Sequence, residues 1–289
     1  MRNLFIFIYL LLSFTVNALE WPVEKVILTA TFAESRQDHF HTGIDLGGGE
    51  QTIFPISPGE VVFAYEKRSD YSSLPVGLGN FVVLQHQESI RSIYCHLKDD
   101  TLKRSLTEFS LQDPLGTIGD SGHSQGKHLH LSLIDSEMKT IINPFLVLPP
   151  LTDRQAPVIR RLFMKGEEDL VEIREGDELK TGEVHILAEI YDLREDVSFI
   201  WKLAPYKILL YVNGKEVNQM SFNFLQAEDG RLVLSDSREG YGELYVSDWI
   251  YKLGSLDLTP GETHMQVFSR DFAGNVSQRE YFFQVKNSN

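Results

Sequence analysis

Hydrophobic and polar residues alternate along much of the chain with the two-residue period of β-strands. The clearest case is residues 128–134, where leucine occupies every second position from Leu129 to Leu133. Runs at 81–86 and 92–97 are rich in the β-branched and aromatic residues that strands favour. No amphipathic helical pattern extends beyond two turns. The pattern therefore predicts an all-β protein.

Two proline-containing dipeptides, Pro149-Pro150 and Ala156-Pro157, bracket a short linker and predict a domain boundary. We expect a first domain at residues 19–150, built on an antiparallel β-sheet. A second domain would occupy residues 151–289.

The second half contains several short strands separated by turns. Asn213-Gly214 is a strong hairpin signal, and residues 242–251 are expected to form one strand. The turn Asp271–Asn275 precedes a final strand at 281–285. This spacing favours a β-sandwich, and the D-x-A-G-N turn resembles those of bacterial immunoglobulin-like modules.

The N-terminus differs from the rest of the chain. Arg2 precedes a nearly unbroken apolar run from Leu4 to Val16, which is shorter than the roughly twenty residues of a membrane span. Val16 and Ala18 are suited to a cleavage site. We predict a signal peptide at residues 1–18 and an exported protein of the periplasm or the extracellular envelope, with no transmembrane segment once the signal is removed. The alternative is an uncleaved N-terminal anchor.

Charge and cysteine content restrict the function classes. The net charge is −14 and is spread over both halves, so the chain would repel a polyphosphate and nucleic-acid binding is not expected. The single cysteine, Cys95, excludes an internal disulfide.

Four histidines and one aspartate are the candidate chemistry: His41, Asp45, His96, His128 and His130. Glycines after His41 argue against a helix there, so a strand-to-loop bend is expected. Strand alternation predicts that His128 and His130 share one face. By the same reasoning, Tyr94 and His96 would share a face and Cys95 would point away from it as a buried structural thiol.

Imidazole nitrogen and carboxylate oxygen suit zinc, and catalytic zinc keeps three protein ligands. Five candidate residues exceed that number by two. The extra pair could act as general base and as stabiliser of a developing oxyanion. This set of four histidines and one aspartate is what a metal-dependent hydrolase requires.

The motifs, taken in order, resemble those of lysostaphin-type (LytM) zinc endopeptidases, a family of peptidoglycan hydrolases. The resemblance rests on five segments that follow one another in the same order as in the family. They are Phe40–Asp45 (H-x-G-x-D), Pro58–Val62, Gly79-Asn80, Tyr94–Leu97 (Y-x-H-L) and Gly119–His130, which ends in H-L-H. It covers roughly residues 30–148, and Asn143-Pro144 resembles the segment that ends the family's module.

The resemblance implies that His41, Asp45 and His130 bind Zn²⁺ and that His96 and His128 are catalytic. It implies cleavage of peptide bonds in peptidoglycan cross-links or stems. One departure is that Leu131 and Ser132 stand where the family usually has an aromatic residue and glutamate.

Two alternatives stay open: a non-cleaving wall-binding protein or activator of another wall hydrolase that keeps the metal site, and an adhesion or scaffold protein led by the second domain. A protein partner could bind the second domain. For the remaining histidines of the first half, His39, His86 and His123, no function is expected.

Overall fold

The computed structural model describes residues 19–67, 77–166, 170–197 and 201–287. The predicted signal peptide, residues 1–18, lies outside them. Across the described residues the regular structure is almost entirely β-strand, so the all-β prediction is confirmed. No helix within these ranges has the length and apolar character needed to cross a membrane.

The strands of the first half pair mainly into one antiparallel sheet. Numbered in chain order within the described residues, they are β1 (Leu28–Ala30), β2 (Ile44–Leu46), β3 (Thr52–Ile53), β4 (Gly59–Tyr65), β5 (Asn80–Gln85), β6 (Ile90–Leu97), β7 (Glu108–Phe109), β8 (Gly116–Thr117), β9 (Leu129–Asp135) and β10 (Thr140–Ile142). The sheet runs β7-β4-β5-β6-β9-β10, and β2 pairs with both β9 and β1. Strands β3 and β8 form a separate two-stranded pair.

Strand β9 lies at the centre of this sheet and follows the predicted alternation. Leu129, Leu131 and Leu133 are fully buried in the hydrophobic core. His130 and Ser132, which alternate with these leucines, therefore project from the opposite face of the strand. Strand pairing thus places the histidine-bearing face of β9 beside β2 and β6.

The second half supplies twelve further strands and one short helix within its described residues. They are β11 (Val158–Lys165), β12 (Leu170–Ile173), β13 (Glu178–Lys180), β14 (Gly182–Tyr191), β15 (Lys207–Val212), β16 (Lys215–Ser221), β17 (Phe224–Glu228), β18 (Arg231–Leu234), α1 (Tyr241–Leu244), β19 (Tyr245–Ser247), β20 (Ile250–Leu258), β21 (Gly261–Arg270) and β22 (Val276–Lys286).

Two five-stranded sheets form most of this half, in the orders β12-β11-β14-β20-β19 and β13-β22-β21-β15-β16. They contact each other through β11, β20, β21 and β22, and their apolar residues share one core. The hairpin predicted at Asn213-Gly214 joins β15 to β16, and both turn residues have positive φ (51° and 76°). The immunoglobulin-like character of this half stays a prediction.

The prediction of one strand over residues 242–251 is wrong. That segment contains α1, β19 and the start of β20. The Glu243 carboxylate accepts a hydrogen bond from the backbone N–H of Gly240. This bond closes a helical turn before the chain can extend.

Strands β17 and β18 join the sheet of the first half, although they belong to the second half in sequence. β17 pairs with β10, with Ile141 opposite Leu225, and β18 pairs with β17. The domain limits at residues 150 and 151 stay a prediction. Main-chain hydrogen bonds of one sheet nevertheless link residues on both sides of that limit.

Candidate metal centre

Three side chains meet at one buried point on the central sheet. Asp45 Oδ1 lies 3.0 Å from His41 Nε2 and 2.9 Å from His130 Nδ1, and these two nitrogens are 2.9 Å apart. All three residues are at most 9% exposed. Asp45 is directly opposite His130 in the β2–β9 pairing. Directly opposed residues share a face, so the register brings these two side chains together.

The other nitrogen of each imidazole already has a hydrogen-bond partner. His41 Nδ1 lies 2.7 Å from the carbonyl oxygen of Thr31, a bond in which the ring nitrogen must donate. His130 Nε2 lies 2.8 Å from Ser132 Oγ. With Nδ1 of His41 and Nε2 of His130 protonated, the nitrogens that face Asp45 hold lone pairs.

The carboxylate of Asp45 is kept ionised at this buried position. Burial opposes its charge, but when no metal is bound, N–H groups of His41 and His130 that face Asp45, and the positive charge they carry, outweigh burial and hold the pKa of Asp45 well below its usual range. Arg36 Nη2 contacts the second oxygen, Asp45 Oδ2, at 2.9 Å, and Arg36 Nη1 contacts Glu34 at 2.7 Å. Asp45 thus presents Oδ1 to the histidines while Arg36 fixes Oδ2.

His96 and His128 lie beside this trio. His128 Nε2 is 3.7 Å from Asp45 Oδ1, and the rings of His96 and His128 are 4.7 Å apart. Nδ1 of His96 donates to the carbonyl of Ser121, and Nδ1 of His128 donates to the carbonyl of Gly126, each at 2.8 Å. The side chain of His128 is 19% exposed, so its ring can meet a molecule arriving from solvent.

A β-bulge brings His96 into the cluster. Asn80 pairs with Leu97 and Val82 with Tyr94, so Cys95 and His96 together oppose one residue of β5. His96 also has φ of +63°. A bulge inserts one extra residue and redirects the side chains that follow it.

The predicted orientations in β6 are wrong in consequence. Cys95 is opposite His130 in the β6–β9 pairing and so projects from the same face as His130. Tyr94 is fully buried on the core side, with its hydroxyl bonded to the backbone of Ile56. Cys95 is a buried thiol, as expected, but on the other face, and burial together with the nearby charge of Asp45 raises its pKa.

Two polar groups around the cluster were not identified from the sequence. Ser132, noted only as a departure from a family pattern, orients His130. Arg36 lies in a polar stretch with no recognisable motif, and it reaches Asp45 because the segment 31–41 folds back on itself through hydrogen bonds between Ala33 and His41 and between His41 and Glu34. That folding gave no signal in the local sequence.

The glycine of the H-x-G-x-D motif, Gly43, is required by close packing. A Cβ at this position would collide with the backbone carbonyl of Leu131 and with Ser132 Oγ. Glycine therefore lets β2 approach β9 closely enough for Asp45 to meet His130.

The remaining histidines of the first half lie outside the cluster. His39 is exposed and pairs with Asp38. His86 bridges the carbonyl of Pro58 and Ser92 Oγ. His123 is exposed on the loop before β9.

The donor set fits zinc. It offers two imidazole nitrogens and one carboxylate oxygen within 4.8 Å of one another, and burial lowers the pKa of His130, which favours the neutral ring that a metal requires. Donors around tetrahedral zinc at about 2.0–2.2 Å are separated by about 3.4 Å. The present separations of 2.9–3.0 Å would need to widen by only about half an ångström.

Comparison with known families supports the peptidase resemblance for part of the chain. Residues 39–144 match the model of peptidase family M23. This range contains all five clustered residues. A second family model, without a functional description, matches residues 156–286.

Among curated proteins, the chain is similar to the murein hydrolase activator NlpD of Salmonella dublin and of Salmonella typhimurium. Each is 28% identical over 138 residues, which is 47% of this chain and 33% of the relative. The chain therefore spans about a third of the length of these relatives.

Solved structures with a similar segment include the lysostaphin catalytic domain of Staphylococcus simulans, at 18% identity and a TM-score of 0.33, covering 42% of this chain and 90% of that one. A zinc-containing peptidase of Vibrio cholerae has 23% identity and a TM-score of 0.34, with 40% and 36% covered. The prophage-encoded M23 protein EnpA of Enterococcus faecalis has 21% identity and a TM-score of 0.35, with 42% and 90% covered.

Proposed function

We propose that this chain is an exported zinc endopeptidase that hydrolyses peptide bonds in bacterial peptidoglycan. The observation that carries the proposal is the convergence of His41, Asp45 and His130 on one point with two further histidines beside it. A structural zinc site uses all four coordination positions for protein ligands, whereas a catalytic site keeps one open. Three donors with two unliganded histidines at hand fit the catalytic case.

In this proposal His41, Asp45 and His130 would hold zinc, which would supply a Lewis acid for the peptide carbonyl and a more acidic water. His128 and His96 present the Nε2 atoms not engaged by the Gly126 and Ser121 carbonyls. A neutral Nε2 accepts a proton from the attacking water. The resulting imidazolium donates a hydrogen bond to the developing oxyanion or returns the proton to the leaving amine.

The charge state of His96 suits this role. Burial is the main cause that lowers the pKa of His96, to about 4. The ring is therefore neutral near pH 7 before reaction. Arg36, by holding Asp45 Oδ2, acts as a positioning residue for the carboxylate ligand.

Peptidoglycan as substrate is supported by two findings. One is the match of residues 39–144 to peptidase family M23, together with the lysostaphin-type motifs within it. The other is the similarity to proteins named murein hydrolase activators. The predicted signal peptide would deliver the mature chain to the envelope, where this substrate lies.

A second candidate function is activation of another wall hydrolase without cleavage. The similarity to NlpD, a protein named as an activator, favours it. In that case the second half would be the natural place for a protein partner to bind. The presence of all five clustered side chains favours catalysis over this reading, because an activator has no need of His96 and His128 beside a complete donor set.

The test is zinc analysis and digestion of defined peptidoglycans by the mature protein and by His128→Ala. The wild type should carry about one zinc per chain and release peptides with new amino termini, identified by mass spectrometry. His128→Ala should keep its zinc and lose at least about 100-fold in rate, because proton transfer contributes on the order of 10²–10⁴.

His123→Ala is the matched control, since His123 is an exposed histidine on the same loop and lies outside the cluster. It should retain wild-type rates. A zinc-loaded wild type that releases no peptide from any wall type, yet stimulates a separate wall hydrolase, would reject the enzyme and establish the activator.

A further inference from the structure

A second cluster of acidic side chains lies where the linker meets the ends of two sheets in the second half. Asp153 belongs to the linker, Asp192 follows β14 and Asp271 follows β21. Each offers a carboxylate oxygen, and these oxygens all lie within 4.8 Å of one another. The cluster borders a cavity of about 70 Å³ that is also lined by Leu28, Thr31 and Phe145 of the first half.

One carboxylate oxygen in this cluster, Asp192 Oδ1, lacks a hydrogen-bond partner within the part of the chain that the structure describes. Asp192 is 5% exposed, and its Oδ1 atom is buried with no hydrogen bond from any described residue. Asp271, by contrast, is satisfied: Oδ1 accepts from the backbone of Gly274 and Asn275, and Oδ2 accepts from the Asn275 amide. A buried acceptor without a donor costs about 1–3 kcal/mol.

Local positive charge does not balance the three acids. Arg194 is the basic residue that lines the cavity. It makes two hydrogen bonds to Asp196, at 2.9 and 3.0 Å, and one to the carbonyl of Thr152, while its contact with Asp153 is 3.5 Å. Burial, followed by the charge of Asp271, accordingly raises the pKa of Asp192 to about 8.

We propose that Asp153, Asp192 and Asp271 form a calcium site that ties the linker to the ends of both sheets. Calcium prefers carboxylate and water oxygens, six to eight in number, whereas zinc prefers nitrogen and sulfur. Three carboxylates supply part of that shell, and the adjoining cavity has room for two or so waters at about 30 Å³ each. The cation provides the partner that Asp192 Oδ1 lacks.

The test is calcium titration of the mature chain by calorimetry and thermal unfolding, in buffer free of chelator and with CaCl₂ and MgCl₂ as separate probes. The wild type should bind one Ca²⁺ and gain about 3–5 °C in Tm at ten times the Kd. Asp192→Asn should weaken calcium binding at least about tenfold and, at the same calcium concentration, cut the Tm gain to about a third or less. Asp153→Asn should do the same and serves as the second variant if Asp192→Asn does not fold.

Two controls isolate the site. Asp257→Asn removes an exposed carboxylate elsewhere in the second half and should leave the calcium response unchanged. His41→Ala disables the proposed zinc centre and should also keep the calcium response, so failure of either proposal is seen independently. Absence of binding in the wild type up to about 10 mM, well above the Kd of weak extracellular modules, would overturn the inference. So would wild-type calcium affinity in both aspartate variants, or an equal response to Mg²⁺.

Discussion

At the scale of single residues, the candidate centre depends on groups that orient the donors as much as on the donors. Ser132 occupies the next site-facing position on β9 after His130, and its hydroxyl lies 2.8 Å from His130 Nε2. When Nε2–H donates to that hydroxyl oxygen, the ring is in the tautomer that leaves Nδ1 free.

Replacing Ser132 by alanine should lower zinc affinity by about 10-fold, within the 10–100-fold range typical of groups that orient a metal ligand. Ser132→Ala leaves His130 free to adopt the other tautomer. Zinc affinity is measured by competition with a chromogenic chelator. Ser136→Ala is the control, since Ser136 bonds to Ser89 in the turn after β9 and should bind zinc as the wild type does. Equal affinities for the two variants would show that Ser132 does not orient the ring.

At the scale of elements, the bulge in β6 decides which side chains reach the centre. Asn80, on the paired strand, is fully buried and stabilises the bulge from one side. Its amide donates to the carbonyl of Leu97 and to Asp99, and its oxygen accepts from the backbone of Lys67. These bonds hold the chain immediately after His96.

Asn80→Ala should destabilise the protein by about 2–3 kcal/mol, because it removes these hydrogen bonds and leaves buried groups unpaired. Urea unfolding at pH 7 measures the loss. The comparison is Asn218→Ala on β16, a half-buried position at which a change within about 0.5 kcal/mol is expected. If Asn80→Ala lost no more than Asn218→Ala, the bulge would be held by other contacts.

At the scale of the whole molecule, the second half supports the segment that orients the centre. Trp201 donates to the carbonyl of Thr29, the Tyr245 hydroxyl donates to that of Ala33, and the backbone of Ala204 exchanges hydrogen bonds with Thr31 Oγ1. The carbonyl of Thr31 in turn accepts from His41. The two halves are therefore joined both through one sheet and through this segment.

A fragment of residues 19–150 should unfold at lower temperature than residues 19–289 and bind zinc more weakly. It loses the β17 edge and exposes Phe40, which packs edge-on against Tyr241 and Tyr245. Calorimetry and zinc competition give both quantities. Tyr245→Phe in the intact chain is a smaller perturbation. It should lower the free energy of unfolding by about 1 kcal/mol, because it removes one hydrogen bond. A fragment with Tm within about 2 °C of the chain and unchanged zinc affinity would show that the first half is self-sufficient.

The sequence by itself determined the strand content, the faces of β9 and the candidate residues, because these depend on side-chain type and on the local two-residue period of a strand. It predicted the hairpin at Asn213-Gly214 for the same local reason. The tertiary structure alone decided the face of Cys95, the contact of Arg36 with Asp45, the role of Ser132 and the passage of β17 into the first sheet. Each of these depends on register, on a bulge or on contacts between distant segments, and such pairings leave no periodic trace in the local sequence.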